Sequence, residues 1–169
     1  MLEKGDHVVY GNHGLCLVTD ITVPAFLERG KEKLYYVMEP STDSKGTLYV
    51  PVEGSEGKMR EAVGAEYAEE LILGMETMTN MDIPQGKKAE AVIVEVIRRN
   101  LTDEMLCLIK TLRTIKAERE SQGKKFATLD EKYLGIAEKL FFSEMAYSMS
   151  TEPETVRARV CGKRELETA

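Results

Sequence analysis

The chain has 169 residues, is 43% hydrophobic and 31% charged, and carries a formal net charge of −6, enough for one large or two small domains. No stretch approaches the roughly 18 consecutive apolar residues of a membrane span, and Met1 to Asp20 lacks the basic start, apolar run and small-residue site of a secretory leader. Cys16, Cys107 and Cys161 are odd in number and far apart, which predicts reduced thiols in a cytoplasm and no disulfide framework.

The charge is unevenly placed. Residues 1–74 hold 7 basic and 13 acidic side chains, whereas residues 75–169 hold 16 of each. The first stretch is therefore the poorer candidate for a polyanion, and any nucleic-acid contact is expected in the second.

From Gly5 to Ile21 the sequence reads GDHVVYGNHGLCLVTDI. Strand formers Val8, Val9 and Tyr10 precede a Gly-Asn-His-Gly turn, and a second strand follows directly. Two further strands, Lys33 to Glu39 and Thr47 to Val52, complete four short strands joined by tight turns, the pattern of a small bent sheet or open barrel. Such a sheet has edges, and an edge is a template for another protein's strand. EGSEG at 53–57 is a polar loop, and 58–63 reads as either a last short strand or a turn. A helix is expected over Glu66 to Leu73, stopped by Gly74. METMTNMDIPQG at 75–86 reads as an inter-domain linker, giving domains 1–74 and 75–169.

Three one-striped helices come next. Ala89, Val92, Ile93, Val96 and Ile97 recur at three and four over Lys87 to Arg99. Thr102 is the expected N-cap of a helix to about Glu120, with Met105, Leu108, Ile109, Leu112 and Ile115 on one face. Thr128 and Glu131 form the expected capping box of a third, striped by Leu134, Ala137, Leu140, Phe141 and Met145. A shorter helix from Thr151 to about Arg164 carries Pro153 in its first turn. The expected fold class is α+β: a bent β module followed by an all-α bundle.

Catalytic and metal-binding patterns are sparse. His7, His13 and Cys16 fall short of a fourth ligand, and metal ligands usually pair two to four residues apart. Gly11 to Gly14 lacks nucleotide-loop spacing, and no G-x-S-x-G or H-E-x-x-H occurs. Neither histidine neighbours an obvious nucleophile. The expectation is a non-enzyme without metal or cofactor. The basic residues are more suggestive: Lys110, Arg113, Lys116 and Arg119 form a drifting stripe continued by Lys124 and Lys125. Lys87 and Lys88 open one helix, and Arg98 and Arg99 close it. Such a set can bind phosphates, though basic residues near a helix C-terminus also simply favour its dipole.

The N-terminal frame of Gly5-Asp6, Val8-Val9-Tyr10, His13-Gly14, Tyr36-Val37 and Val50-Pro51 resembles the polymerase-interacting module of the CarD family of bacterial transcription regulators. The transcription-repair coupling factor has a similar module. LDEKYLGIAEKLFFSEMAYS resembles the last long helix of the CarD family, so the likeness spans roughly residues 1–147. The resemblance implies a Tudor-like module that binds the RNA polymerase β subunit through Thr22, Val23, Leu48, Tyr49, Val50 and Pro51. It also implies a helical domain that touches promoter DNA through backbone and minor-groove contacts and modulates the open complex.

Two departures stand out. Tyr49 occupies the position of a family arginine that pairs with an acidic polymerase surface, so the contact is expected to be apolar and backbone-led. The chain has no Trp, whereas better-known members insert one at the bubble edge. The matching stretch, Ile83-Pro84-Gln85-Gly86-Lys87-Lys88, keeps the basic pair and leaves Ile83 as a smaller wedge or as a core residue. The DNA-contacting set implied is Ile83, Lys87, Lys88, Arg98, Arg99, Arg113, Lys116, Arg119 and Lys124. The second reading is a protein-only adaptor whose helical domain dimerises or binds another protein. An enzyme ranks third, and oligomeric state is left open.

Overall fold

A computed structural model describes residues 1–42 and 46–162 of the chain. It has two compact units, one ending at Ala62 and the other beginning at Val63. The first is an antiparallel sheet of β1 (His7–Tyr10), β2 (Leu15–Thr22), β3 (Tyr35–Pro40), β4 (Leu48–Pro51) and β5 (Met59–Arg60), in the order β4-β3-β2-β1-β5. Residues 58–63 thus supply a last short strand, pairing Val9 with Arg60 and Tyr10 with Met59.

Period-two alternation places Val8, Cys16, Val18, Tyr36, Met38 and Val50 in one buried cluster. A register shift between Val18 and Asp20 bends β2 against β3. The β1–β2 connection is a 3-10 turn at Gly11–His13, closed by the Tyr10 N–H donating to the Gly14 carbonyl at 2.9 Å. Gly14 lies at φ 74, ψ −151, a conformation open essentially to glycine alone.

The second unit holds α1 (Ala65–Leu73), α2 (Lys87–Arg99), α3 (Thr102–Ser121), α4 (Thr128–Ser148) and α5 (Pro153–Cys161). Each helix contributes buried residues to one core, including Ile72, Ile93, Met105, Leu112, Phe141 and Val156. The expected end of the last helix at Arg164 lies outside the described residues. Gly123, at φ 71, ends α3, with the Lys124 N–H returning to the Arg119 carbonyl at 2.8 Å.

Several expectations are corrected. Thr102 and Thr128 are first helical residues and not N-caps; Leu101 and Ala127 hold the cap positions without side-chain hydrogen bonds. The compact units meet at Ala62–Val63, not at Gly74, because Ala68 and Ile72 of α1 are buried in the helical core. With that boundary the charge asymmetry disappears: residues 1–62 hold 7 basic and 10 acidic side chains, and residues 63–169 hold 16 and 19. Residues 75–81 are not an inter-domain linker either. Lys110 of α3 donates its ammonium to the carbonyls of Met75, Glu76 and Met78. Met81 N–H donates to Thr111 Oγ1 at 2.8 Å, and Met75, Met78 and Met81 pack on the core.

Candidate protein and nucleic-acid interfaces

β4 is an edge strand. The Val52 N–H donates to the Leu34 carbonyl at 3.0 Å, and β4 pairs on from there as Pro51–Tyr35, Val50–Tyr36, Tyr49–Val37 and Leu48–Met38. In an antiparallel ladder hydrogen-bonded and non-bonded pairs alternate, so Val50 and Leu48 bond inward to β3. The backbone groups of Tyr49 and Pro51 then point outward along the edge. Pro51 has no N–H, leaving Tyr49 as the position in this strand's outer row that offers both donor and acceptor.

Val50 is buried and Leu48 half-buried against the sheet's core, whereas Tyr49 is exposed on the opposite face. Thr22 ends β2 and pairs with Tyr35 of β3, beyond the stretch Leu15–Leu17 over which β2 pairs with β1. Since Tyr35 also pairs with Pro51, Thr22 and exposed Val23 lie near the same end of the sheet as β4.

Sequence reasoning missed the aromatic neighbours of Tyr49. Phe26, in the β2–β3 loop, is 62% exposed. Its ring stands edge-on to Tyr49 at 5.1 Å and to Tyr35 at 6.1 Å, a favoured aromatic geometry. The Lys33 ammonium lies 5.6 Å from the Tyr35 ring centre. The signal available in sequence was the apolar run Val23-Pro24-Ala25-Phe26-Leu27 that opens the β2–β3 loop.

The structure sorts the basic residues into distinct environments. Arg113 is 16% exposed and binds Glu138, itself 9% exposed, at 2.5 Å; Arg157 binds the other oxygen of Glu138 at 2.8 Å. That three-helix ion pair withdraws Arg113 from any DNA-facing stripe. Lys110 is likewise spent on backbone carbonyls. Arg98 and Arg99 pair with Glu95, and Arg99 also with Glu104. Ile83 is half-buried and packs on the helical core, so it is no exposed wedge.

Lys87, Lys88, Arg119 and Lys124 are exposed. Two contacts bring their helices together. Tyr133 of α4 donates to Glu90 of α2 at 2.7 Å, and that carboxylate holds the phenol above its ordinary pKa. Lys116 of α3 binds Glu131 of α4 at 3.1 Å and lies 5.8 Å from the Phe126 ring. The start of α2, the second half of α3 and the start of α4 therefore share one end of the bundle, with Lys87, Lys88, Lys116, Arg119 and Lys124 around it. Arg98 and Arg99 lie about 15 Å along α2 from Lys88 at the usual helical rise. Gly86 caps α2 with no side-chain acceptor, so Lys87 and Lys88 flank a helix N-terminus with unsatisfied N–H groups.

Among the described residues no group of three or more His, Cys, Asp or Glu is placed to hold a metal ion. Cys16 is fully buried, its thiol donating to the Gly14 carbonyl, and burial pushes its pKa up to about 11. His13 stacks on Tyr10 at 5.3 Å. A cavity of about 780 Å³ in the first unit has an apolar floor including Val8, Val52 and Met59. Its hydroxyls serve the fold: Tyr36 Oη accepts from Leu2 N–H, and Ser55 donates to the Val52 carbonyl. No described helix is long and apolar enough to cross a membrane.

A small antiparallel sheet with an open edge strand and an exposed aromatic cluster beside it is a protein-interaction module. The N-terminal unit belongs to the CarD-like/TRCF RID domain family, whose family model matches residues 2–63. That domain family is a protein-interaction domain that binds the RNA polymerase β subunit, which supports a transcription-related, polymerase-binding role for this unit. The match ends where the compact sheet unit ends, and residues 64–169 lie beyond it. No curated protein matches the chain.

Proposed function

We propose that the chain is a bacterial transcription regulator that docks on the polymerase β subunit through β4 and contacts promoter DNA with its helical unit, modulating open-complex stability. The open β4 edge in a RID-family sheet carries the first half of this reading. An edge strand supplies main-chain affinity, and side chains on its two faces supply selection.

The cationic end of the bundle supports the second half. Lys87 and Lys88 sit at the positive end of α2, where cations oppose the helix dipole and an incoming phosphate would be favoured by both. Lys116, Arg119 and Lys124 extend this end, interleaved with Glu118, Glu120 and Glu131. The contact proposed is to the sugar-phosphate backbone, which positions a protein without reading sequence. Arg113 and Ile83 are assigned to the fold and Arg98 and Arg99 to the other end of α2.

The test is the lifetime of open complexes formed by a bacterial polymerase on a promoter fragment, with and without the full chain. A changed lifetime that reverts in Lys87→Glu/Lys88→Glu supports the reading. An unchanged lifetime under saturating chain contradicts the DNA half and favours the protein-only adaptor.

A further inference from the structure

We infer that the polymerase strand docked on β4 is selected by an apolar notch formed by Phe26 and Tyr49, with Phe26 as its specificity-determining residue. The inference rests on the polymerase-docking reading above. It adds which residue centres the contact and which chemistry the partner presents there.

The register follows from the backbone. Tyr49 offers an outward N–H and C=O, and Pro51 offers only a carbonyl. An incoming antiparallel strand can therefore form a complete two-bond pair at Tyr49 and not at Pro51. Residues directly opposite in such a pair project their side chains to the same face, with Cβ atoms about 5.5 Å apart. The partner residue opposite Tyr49 must then lie on the exposed face, next to the Tyr49 ring and the Phe26 ring that stands 5.1 Å away, edge-on. Phe26 does not belong to the buried core. Its position gives the notch a wall.

The chemistry of that notch is predominantly aromatic. Phe26, Tyr49 and Tyr35 surround it, with Val23 and Leu34 also exposed in the adjoining chain. The Lys33 ammonium stands at the Tyr35 side of this cluster. Aromatic and β-branched side chains pair best on such a face, so the fitting partner is a strand placing a Val, Ile, Leu or aromatic residue opposite Tyr49. A carboxylate opposite Tyr49 would lose water against aromatic rings.

The measurement is the Kd of the full chain for purified bacterial core RNA polymerase, with variants checked for an unchanged thermal transition. Phe26→Ala should weaken binding about tenfold or more, the scale of an interface hot spot. Tyr49→Arg should weaken binding. Tighter binding by Tyr49→Arg, or wild-type affinity in Phe26→Ala while Tyr49→Glu fails to bind, overturns the apolar notch and leaves polymerase docking standing. Failure of the wild-type chain itself to bind overturns both.

Discussion

The ammonium of Lys110 donates to the carbonyl of Met75 at 2.9 Å, and the same nitrogen also serves Glu76 and Met78. A lysine that reads as part of a phosphate-binding stripe is instead a clamp, its three donors serving backbone carbonyls of the 3-10 turn at Met75–Thr77 and of Met78 just after it. Lys110→Met should lower unfolding stability by about 2 kcal/mol, through carbonyls left without partners. Urea denaturation of the full chain measures this, and DNA affinity of the folded variant should stay unchanged. A stable variant with weakened DNA binding would return Lys110 to the stripe.

Glu138 plays the corresponding role for α3, α4 and α5. It is buried between Arg113 and Arg157, and removing Arg113 leaves the half-exposed Arg157 to compensate the carboxylate while the other oxygen loses a charged hydrogen bond. Arg113→Gln should therefore cost about 2 kcal/mol, read as a lower denaturation midpoint. A midpoint equal to wild type would show the pair to be dispensable and reopen Arg113 as a surface cation.

The exposed pair of Glu69 on α1 and Arg159 on α5, at 2.5 Å, makes stability depend on pH. The Arg159 hydrogen bond holds the Glu69 carboxyl below its ordinary pKa. A carboxylate depressed in the folded state stabilises above its unfolded pKa, and that contribution is lost as pH falls through the folded value. The gap in Tm between wild type and Glu69→Gln should be positive near about pH 7 and close on acidification below the usual glutamate range of about 4.3. A gap independent of pH would contradict the assignment.

Burial of Cys16 gives a labelling prediction. A thiol pushed up to about 11 is protonated at mildly alkaline pH, and only the thiolate attacks iodoacetamide. Mass spectrometry of the native protein should find Cys107 and Cys161, both partly exposed, labelled well before Cys16. Equal rates would mean that the sheet core opens readily.

For DNA, the two ends of α2 should behave differently. Lys87→Glu/Lys88→Glu should flatten the salt dependence of DNA affinity by about 2 in log–log slope, since each phosphate contact contributes about 0.9. Arg98→Glu/Arg99→Glu should change it little, because those guanidiniums already pair with Glu95 and Glu104. Equal effects from both pairs would contradict a cationic face confined to one end.

The order of elements was legible in the sequence because period two and period 3.6 are local signals: Val8, Val18 and Met38 in the sheet, Ile93, Leu112 and Phe141 in the bundle, all lie where alternation put them. The run at Leu48, Tyr49 and Val50 was legible as a docking edge only through the family resemblance. What failed depended on three-dimensional partners. Nothing local distinguishes Arg113, facing Glu138 from 25 residues away, from solvent-facing Arg119. Residues 75–81 have linker composition, and only Lys110, Thr111 and Cys107 on α3 fix their course. Phe26 gained meaning only when the loop carried it to Tyr49.

The central claim is that the β4 edge binds the polymerase. The most direct measurement is titration of purified bacterial core RNA polymerase with the full chain and with Tyr49→Glu, a substitution at an exposed site that places a charge in the docking path. The account predicts saturable binding by the wild type and its loss in the folded variant. Equal binding by both would place the contact elsewhere on the chain.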